Sequence, residues 1–415
     1  MRAFHVCVLG AGVVGLATAW QLRRAGHRVS VVDRAAPGSG TSSGNGAQLS
    51  YSYVQPLADP SIWRQLPKLL LAPDSPLTLR PRLDPDQWRW ALAFLRASNH
   101  AQSQATTAQL LALAAQSRRA LEQALAELQV DCDFSSTGKL VLQPTPGALA
   151  AARRQVQLQQ QLGGAAQSVL DTEACLAIEP ALVGYRAHFA GAVHTPSECA
   201  IDGLKLCQAL AQALTRAGAD MHLDREVTGF RPESGRIRAL HTGNGDDIEA
   251  DAFVLALGSE SPRLARALRL RLPVYPLKGY SITLDVDPAG GPDAAPRVNV
   301  TDSARKVVFA RLGDRLRVAG MAELVGHDRS IAPQRIRMLE EATQALFPKA
   351  RRDRAAPLHP WAGLRPATPT GQPLIGRWPG APPNLLLNTG HGALGLTLAF
   401  GSAERIVQLL AAGDA

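Results

Sequence analysis

The sequence predicts an α/β fold in which a Rossmann-like nucleotide-binding domain is interleaved with an α+β domain built on an antiparallel sheet. Three observations predict it. An apolar strand, Phe4 to Leu9, runs into Gly10-Ala11-Gly12-Val13-Val14-Gly15 and a helix. A second apolar run, Val29 to Val32, ends on the carboxylate Asp33. A third, Asp251 to Ser259, closes on glycine and serine far down the chain, and alternating segments beyond it read as antiparallel strands.

The first two segments make a strand, a glycine turn, a helix and a second strand, the arrangement that binds an adenine dinucleotide. Gly10 allows the tight turn, Gly12 lets backbone approach a pyrophosphate, and Gly15 brings helix and strand close. The N–H groups at Val13 and Val14 open the helix and offer donors to an anion. Asp33 stands where a ribose hydroxyl would be accepted, with Arg34 beside it. The run Asp251 to Ser259 has the character of a buried parallel strand ending at a ligand, which places Gly258 at the same site.

A chain of 415 residues exceeds what one core usually holds, so two domains are expected. With 46% hydrophobic and 19% charged residues it has the composition of an ordinary globular protein. The formal charge of +9 is mostly arginine, and its densest run, Arg351-Arg352-Asp353-Arg354, has no interleaved aromatics, so no nucleic-acid partner is expected. Five cysteines without CxxC spacing suggest neither a zinc site nor a disulfide framework, and point to the cytoplasm. No uninterrupted apolar stretch reaches the roughly eighteen residues of a spanning helix. The segment Ile62 to Leu71, aromatic, aliphatic and basic, is a candidate for peripheral contact with the inner face of the cytoplasmic membrane, against the plainer reading of a buried connector.

Between these landmarks, Pro37 to Ser52 reads as a polar loop, and Pro85 to Ser98, Ala101 to Leu128, Ile201 to Arg216 and Pro333 to Phe347 as helices. Strands are expected at Lys139 to Leu142, Ala187 to His194, Glu226 to Phe230 and Ile237 to His241. Val274 to Val286, Lys306 to Arg311 and Arg315 to Gly320 alternate as an antiparallel sheet, Trp361 to Gly376 reads as a loop, and His391 to Leu410 as a glycine turn entering an apolar helix. Residues 1–55, 190–270 and 355–415 are assigned to the nucleotide domain, and 56–189 and 271–354 to the substrate domain.

One fingerprint does not separate nicotinamide from flavin. Three distant segments do: Thr41-Ser42-Ser43-Gly44-Asn45-Gly46-Ala47-Gln48 after the second strand, Asp251 to Ser259, and Asn388-Thr389-Gly390-His391-Gly392-Ala393-Leu394-Gly395. With Val274 to Ser281, Val318 to Glu323 and Trp361 to Pro369, they make the chain resemble, over nearly its whole length, the D-amino-acid oxidase-like superfamily of FAD enzymes, and more closely the bacterial D-amino acid dehydrogenases. The resemblance implies a noncovalent FAD, oxidative deamination of D-amino acids to 2-oxo acids and ammonia by hydride transfer to flavin N5, and a quinone-type acceptor. Its implied cofactor set is Gly10, Gly12, Val13, Val14, Gly15, Asp33, Arg34, Ser42, Ser43, Asn45, Gly46, Ala47, Gln48, Val227, Gly258, Gly363, Gly390, His391, Gly392, Leu394, Gly395 and Thr397. The relatives' covalent attachment through a C-terminal cysteine is excluded here, because the last cysteine is Cys207.

Four side chains are the candidates for chemistry. Arg365, in Gly363-Leu364-Arg365-Pro366, has the planar fork for a substrate carboxylate, the job this motif does in the family. Tyr280 and Tyr53 are aromatic candidates to bond the substrate or close the pocket, each with packed core as its plainer reading. His391 at a helix start is a candidate proton relay, although its glycine neighbours favour backbone N–H groups facing the reduced ring. No metal is expected. Alternatives are a D-proline or D-hydroxyproline dehydrogenase, an oxygen-using glycine, sarcosine or D-amino acid oxidase, and a non-catalytic FAD-binding subunit.

Overall fold

A computed structural model describes residues 3–63, 77–351 and 356–413. The expected opening unit is formed: the strand His5–Leu9 leads through the glycine turn into the helix Val13–Arg24 and on to the strand Arg28–Val32. The first strand lies parallel between Arg28–Val32 and Ala252–Leu255, which brings the late apolar run to the centre of the sheet. Leu385–Thr389 extends it on one side and Asp220–His222 on the other. All these strands point their C-terminal ends the same way, and ligands bind there in open parallel sheets.

A larger mixed sheet forms the second layer, with Trp361–Ala367 at its edge followed by Tyr275–Asp285, Arg315–Leu324, Val307–Leu312, Asn299–Asp302, Lys139–Gln143, Gly191–Thr195 and Ser168–Leu170. Its pairings are antiparallel except for Asn299–Asp302 with Lys139–Gln143 and Leu77–Leu79 with Arg315–Leu324. The helix Pro333–Leu346 covers one face, where Leu339, Ala342 and Leu346 join the core with Phe309 and Ile282.

Three placements differ from the sequence reading. Trp361–Ala367 is a strand and not a loop, paired antiparallel to Tyr275–Asp285. Its glycine and proline disguised it, yet Pro366 is tolerated because an edge strand leaves one row of N–H groups unused. That strand and Gly191–Thr195, both assigned to the nucleotide domain, belong to the mixed sheet. Conversely, the helix His100–Leu128 packs with the C-terminal helix Gly395–Ala411 on the nucleotide sheet, its Leu110, Leu113 and Leu121 sharing a core with Leu398 and Phe400. Period alone cannot say which sheet an apolar stripe covers.

Gly392–Ala411 is long and apolar enough to cross a membrane by length and composition alone, although Glu404 and Arg405 interrupt its apolar run. Here it packs in the interior, against the first helix and His100–Leu128. Of Ile62 to Leu71, the residues 64–71 lie outside the described residues; Ile62 is buried and Trp63 donates from Nε1 to the Ser98 carbonyl. Arg352, Asp353 and Arg354 of the basic run are likewise outside them.

The closest approach in the nucleotide unit is at Gly15, where a Cβ would stand 1.9 Å from the Gly10 carbonyl oxygen. Backbone on both sides cannot yield, so overpacking of about 1–3 kcal/mol is the least expected cost. Gly15→Ala should therefore lower the calorimetric Tm and the dinucleotide content of purified protein together. Wild-type values for both would show that the turn relaxes freely.

Candidate active site

A continuous cavity of about 1320 Å³ runs from the glycine turn, between the two sheets, along one face of the mixed sheet as far as the strand Lys139–Gln143. It exceeds the ~300–1,000 Å³ of ordinary small-molecule pockets, as a dinucleotide with a second ligand requires. Gly10, Gly12, Val13, Val14, Asp33 and Arg34 line one end with Val227 and Gly258. Gly12 leaves open space, since a Cβ there would meet only the Ser42 hydroxyl, at 3.6 Å. The helix Val13–Arg24 has no acidic residue in its first turn, and the Val13 N–H donates to Ser42 Oγ. Asp33 accepts from the Ala11 and Ala35 N–H groups, so it also fastens the glycine turn to the second strand. Burial nevertheless pushes its carboxyl upward.

The loop 41–48 crosses the middle of the cavity. Ser42, Asn45, Gly46, Ala47 and Gln48 line it, whereas Ser43 does not; its hydroxyl donates to the Gly40 carbonyl. Gln48 was expected in the cofactor set; its Nε2 donates to the Val300 and Phe309 carbonyls of the mixed sheet. At the third corner, Gly392, Leu394 and Gly395 open the C-terminal helix toward the cavity, with no side-chain cap and no acidic residue in the first turn. Its partial positive charge therefore faces inward. Gly15, Gly390 and Thr397 stand behind the wall: Gly390 backs onto Thr368, and Thr397 Oγ1 accepts from the Ser50 N–H.

Arg365 reaches the cavity across Gly279 of the neighbouring strand. A Cβ on Gly279 would fall 2.2 Å from the guanidinium, so only glycine leaves room for it. The strand beyond carries a bulge: Tyr280 faces Gly320 while Lys278 faces Glu323, leaving Met321 and Ala322 as the irregular pair. Met321 takes φ +58° there and its carbonyl accepts from Arg365 Nη1 at 2.8 Å. Among the described residues no carboxylate pairs with this guanidinium, and burial lowers its pKa to about 10, so it stays charged at neutral pH. Trp361 packs its indole between Gly44 and Gly363, where a Cβ would come within 2.1 and 1.9 Å of the ring.

The other expected side chains divide. Tyr53 lines the cavity and keeps 41% of its surface accessible there, under the Lys139 ammonium at 4.7 Å. Tyr280 stands in the cavity wall, but its side chain is buried in the core with Ile282 and Leu339, where its hydroxyl donates to Glu323 at 2.7 Å and Glu323 is paired in turn with Arg335. That hydroxyl is committed to the core and does not offer its proton to a substrate. His391 is buried, its Nε2 has no partner, and burial lowers its pKa to about 3. A ring that neutral does not relay protons near pH 7. Lys139 was not expected: it projects from the mixed sheet, is 2% exposed, and donates to Ser50 Oγ at 2.8 Å. Alternation from Val141 could have found its face of the strand, but nothing in the sequence placed that face in a cavity.

The chain belongs to the family of FAD dependent oxidoreductases, whose model matches residues 5–409. It is therefore an FAD-dependent enzyme. It is 46% identical to the D-amino acid dehydrogenase 2 of Ralstonia nicotianae over 98% of this chain and 96% of that one. The D-amino acid dehydrogenase 2 of Pseudomonas aeruginosa is also 46% identical, over 98% and 94%. Among solved structures, glycine oxidase from Geobacillus kaustophilus superposes with a TM-score of 0.77 at 23% identity, covering 99% of this chain and 95% of that one. L-proline dehydrogenase from P. horikoshii gives 0.74 at 17%, over 99% and 94%, a likeness of fold alone. The residues fit FAD: glycines open to a pyrophosphate, an acidic strand end, and two helix N-termini directed into one elongated cavity.

The neutral state of His391 carries a pH signature. Its folded pKa lies below the unfolded 6.5, so the unfolded chain binds the extra proton and stability falls as pH drops below 6.5, until about pH 3. Between pH 7 and 5 this group alone should remove about 2 kcal/mol. Urea unfolding of wild type and His391→Gln at both pH values should show the variant losing that much less; equal losses would mean that His391 is protonated in the folded protein.

Proposed function

We propose that this enzyme oxidatively deaminates D-amino acids to 2-oxo acids and ammonia and passes the electrons to a quinone-type acceptor. The observation that supports it most is the Arg365 guanidinium in the cavity wall, with no carboxylate beside it among the described residues, a bidentate site for an α-carboxylate. The near-full-length likeness to D-amino acid dehydrogenases supports the substrate class. Bound FAD, held without a covalent link, supplies the acceptor at N5 for the hydrogen that leaves Cα with its bonding pair. The glycine turn, Asp33 and the loop 41–48 would hold it, and the N-terminus of the C-terminal helix would favour negative charge placed before it.

The chain's own contribution is binding, orientation and water exclusion. Arg365 fixes the carboxylate and Trp361 bounds the pocket beside it. Neither of the two expected candidates is set to take the α-proton as a base: His391 is too weakly basic and the Tyr280 hydroxyl is bound to Glu323. The substrate is then expected to react as the free amine, whose lone pair drives departure of the Cα hydrogen, and the imine product hydrolyses in water.

Anaerobic mixing with a panel of D- and L-amino acids should bleach the flavin with D-substrates only. Arg365→Lys should keep its FAD and lose at least about tenfold in kcat/KM, because a point ammonium cannot form the fork and a charge-assisted hydrogen bond is worth roughly 1.5–3 kcal/mol. Bleaching by L-amino acids, or an unchanged kcat/KM in the variant, would overturn the reading. Reoxidation by air as fast as turnover, with stoichiometric peroxide, would make it an oxidase.

A further inference from the structure

A second cation faces the cavity close to Arg365. Lys306 closes the hairpin between Asn299–Asp302 and Val307–Leu312, and it lines the cavity together with Val308, two residues on, while Val307 between them turns into the core. Val307 pairs with Gly320, which places Lys306 beside Met321, the residue whose carbonyl holds the Arg365 fork. The two strands are close there, since a Cβ on Gly320 would stand 3.0 Å from the Lys306 carbonyl oxygen. Lys306 takes φ +57°, a left-handed conformation in which glycine or asparagine is the usual choice. The turn itself does not call for lysine, and such backbone outliers cluster where a ligand is clamped.

The surroundings leave that ammonium to a ligand. Asp302, the acid of the turn, is spent on Tyr185 and Arg305, and among the described residues no carboxylate pairs with Lys306. The acids that line the cavity are engaged as well: Asp33 fastens the glycine turn, Glu226 and Glu260 pair with Arg263, and Asp59 accepts from the Ser61 N–H of its own turn. Lys139, the cavity's other lysine, lies two strands farther from Arg365 and donates to Ser50. From Gly279, where the Arg365 fork crosses, to the strand Val307–Leu312 is two strand spacings, on the order of 10 Å at ~4.8 Å each. The flexible lysine stem adjusts its ammonium over that gap. A five-carbon diacid, with carboxyl carbons roughly 5 Å apart across bonds of ~1.5 Å, spans it once each carboxylate stands about 3–4 Å from its cation. A substrate with one carboxylate leaves Lys306 unanswered.

We propose that Lys306 binds the side-chain carboxylate of an acidic D-amino acid of D-glutamate length, whose α-carboxylate is gripped by Arg365. The proposal rests on the function proposed above, and deepens it by naming the substrate class. The two cations divide the work by their chemistry. The guanidinium, seated over Gly279 and bonded to Met321, sets the orientation that every substrate shares, and the ammonium, a point charge on a mobile stem, selects the side chain.

Length-matched ligands isolate the second carboxylate. Calorimetric titration of oxidised holoenzyme with glutarate and with pentanoate gives a ratio of Kd values that needs no turnover, and kcat/KM for D-glutamate over D-glutamine makes the same comparison in catalysis. Wild type should favour glutarate and D-glutamate at least about fivefold, the upper end of what an accessible ion pair supplies. Lys306→Met should abolish both preferences, and Lys306→Arg should keep most of each. Lys306→Gly should abolish them too while matching or raising the Tm, because glycine takes the left-handed turn without strain, so the loss there is not a loss of folding. Flavin that no D-amino acid bleaches, with glutarate still preferred through Lys306, would overturn the reading above and leave the second carboxylate site standing. Wild type with no preference for glutarate over pentanoate, or a preference that survives Lys306→Met and Lys306→Gly, would overturn the proposal.

Discussion

A guanidinium in the wall of a buried cavity with no carboxylate beside it is the constraint around which the mixed sheet is arranged. Desolvating such a charge costs several kcal/mol unless something offsets it, and among the described residues the Met321 carbonyl does so from within the protein. The sheet bends to supply it. The bulge at Met321 and Ala322 turns that carbonyl inward, Gly279 vacates the space the fork occupies, and an edge strand carries Arg365 past it. Bulges re-aim groups in this way next to functional sites. The cost is tolerable because an α-carboxylate would bring the missing charge with it.

The two sheets are held to one another by the loop 41–48, which is why the cavity between them has a fixed shape. Thr41 donates to the Leu364 carbonyl, Ser281 to the Gly44 carbonyl, and the largely buried Arg317 to those of Ser43 and Asn45, all from the mixed sheet or to it. On the other side Ser42 receives the Val13 N–H of the first helix. The loop's polar composition therefore serves two purposes: its side chains and backbone satisfy both sheets, and its glycines admit Trp361 and leave room for a cofactor. Its role as a joint is structural as much as cofactor-binding, which accounts for Ser43 and Gln48 being spent on protein.

This division also explains what could be read in the sequence. The nucleotide unit is local: strand, turn, helix and acid follow one another, so their spacing states their geometry. The strand Ala252–Leu255 was legible because burial on both faces leaves a continuous apolar run. Trp361–Ala367 was not, since its glycine and proline serve Arg365 and the edge, and propensity reads them as loop. The hydroxyl of Tyr280 and the side chain of Gln48 could not be assigned, because their partners, Glu323 and the Val300 and Phe309 carbonyls, are far away in sequence. The helix Pro146–Gln161 had a readable start, with Thr145 capping Ala148 and Pro146 in the first turn. Its cavity-facing side was not readable, as alanine and glutamine declare no face.

The cavity's buried bases behave differently, and the difference follows from chemistry and surroundings together. His391 meets burial with no partner, and the neutral form is its only inexpensive state. Arg365 remains charged because guanidinium holds its proton even when desolvation lowers its pKa to about 10. Lys139 lies between them: burial lowers it to about 8, and Glu198 nearby works against that fall. A permanent cation suits a carboxylate that must be gripped in every turnover. The same burial thus leaves a fixed cation at Arg365 and an uncharged ring at His391.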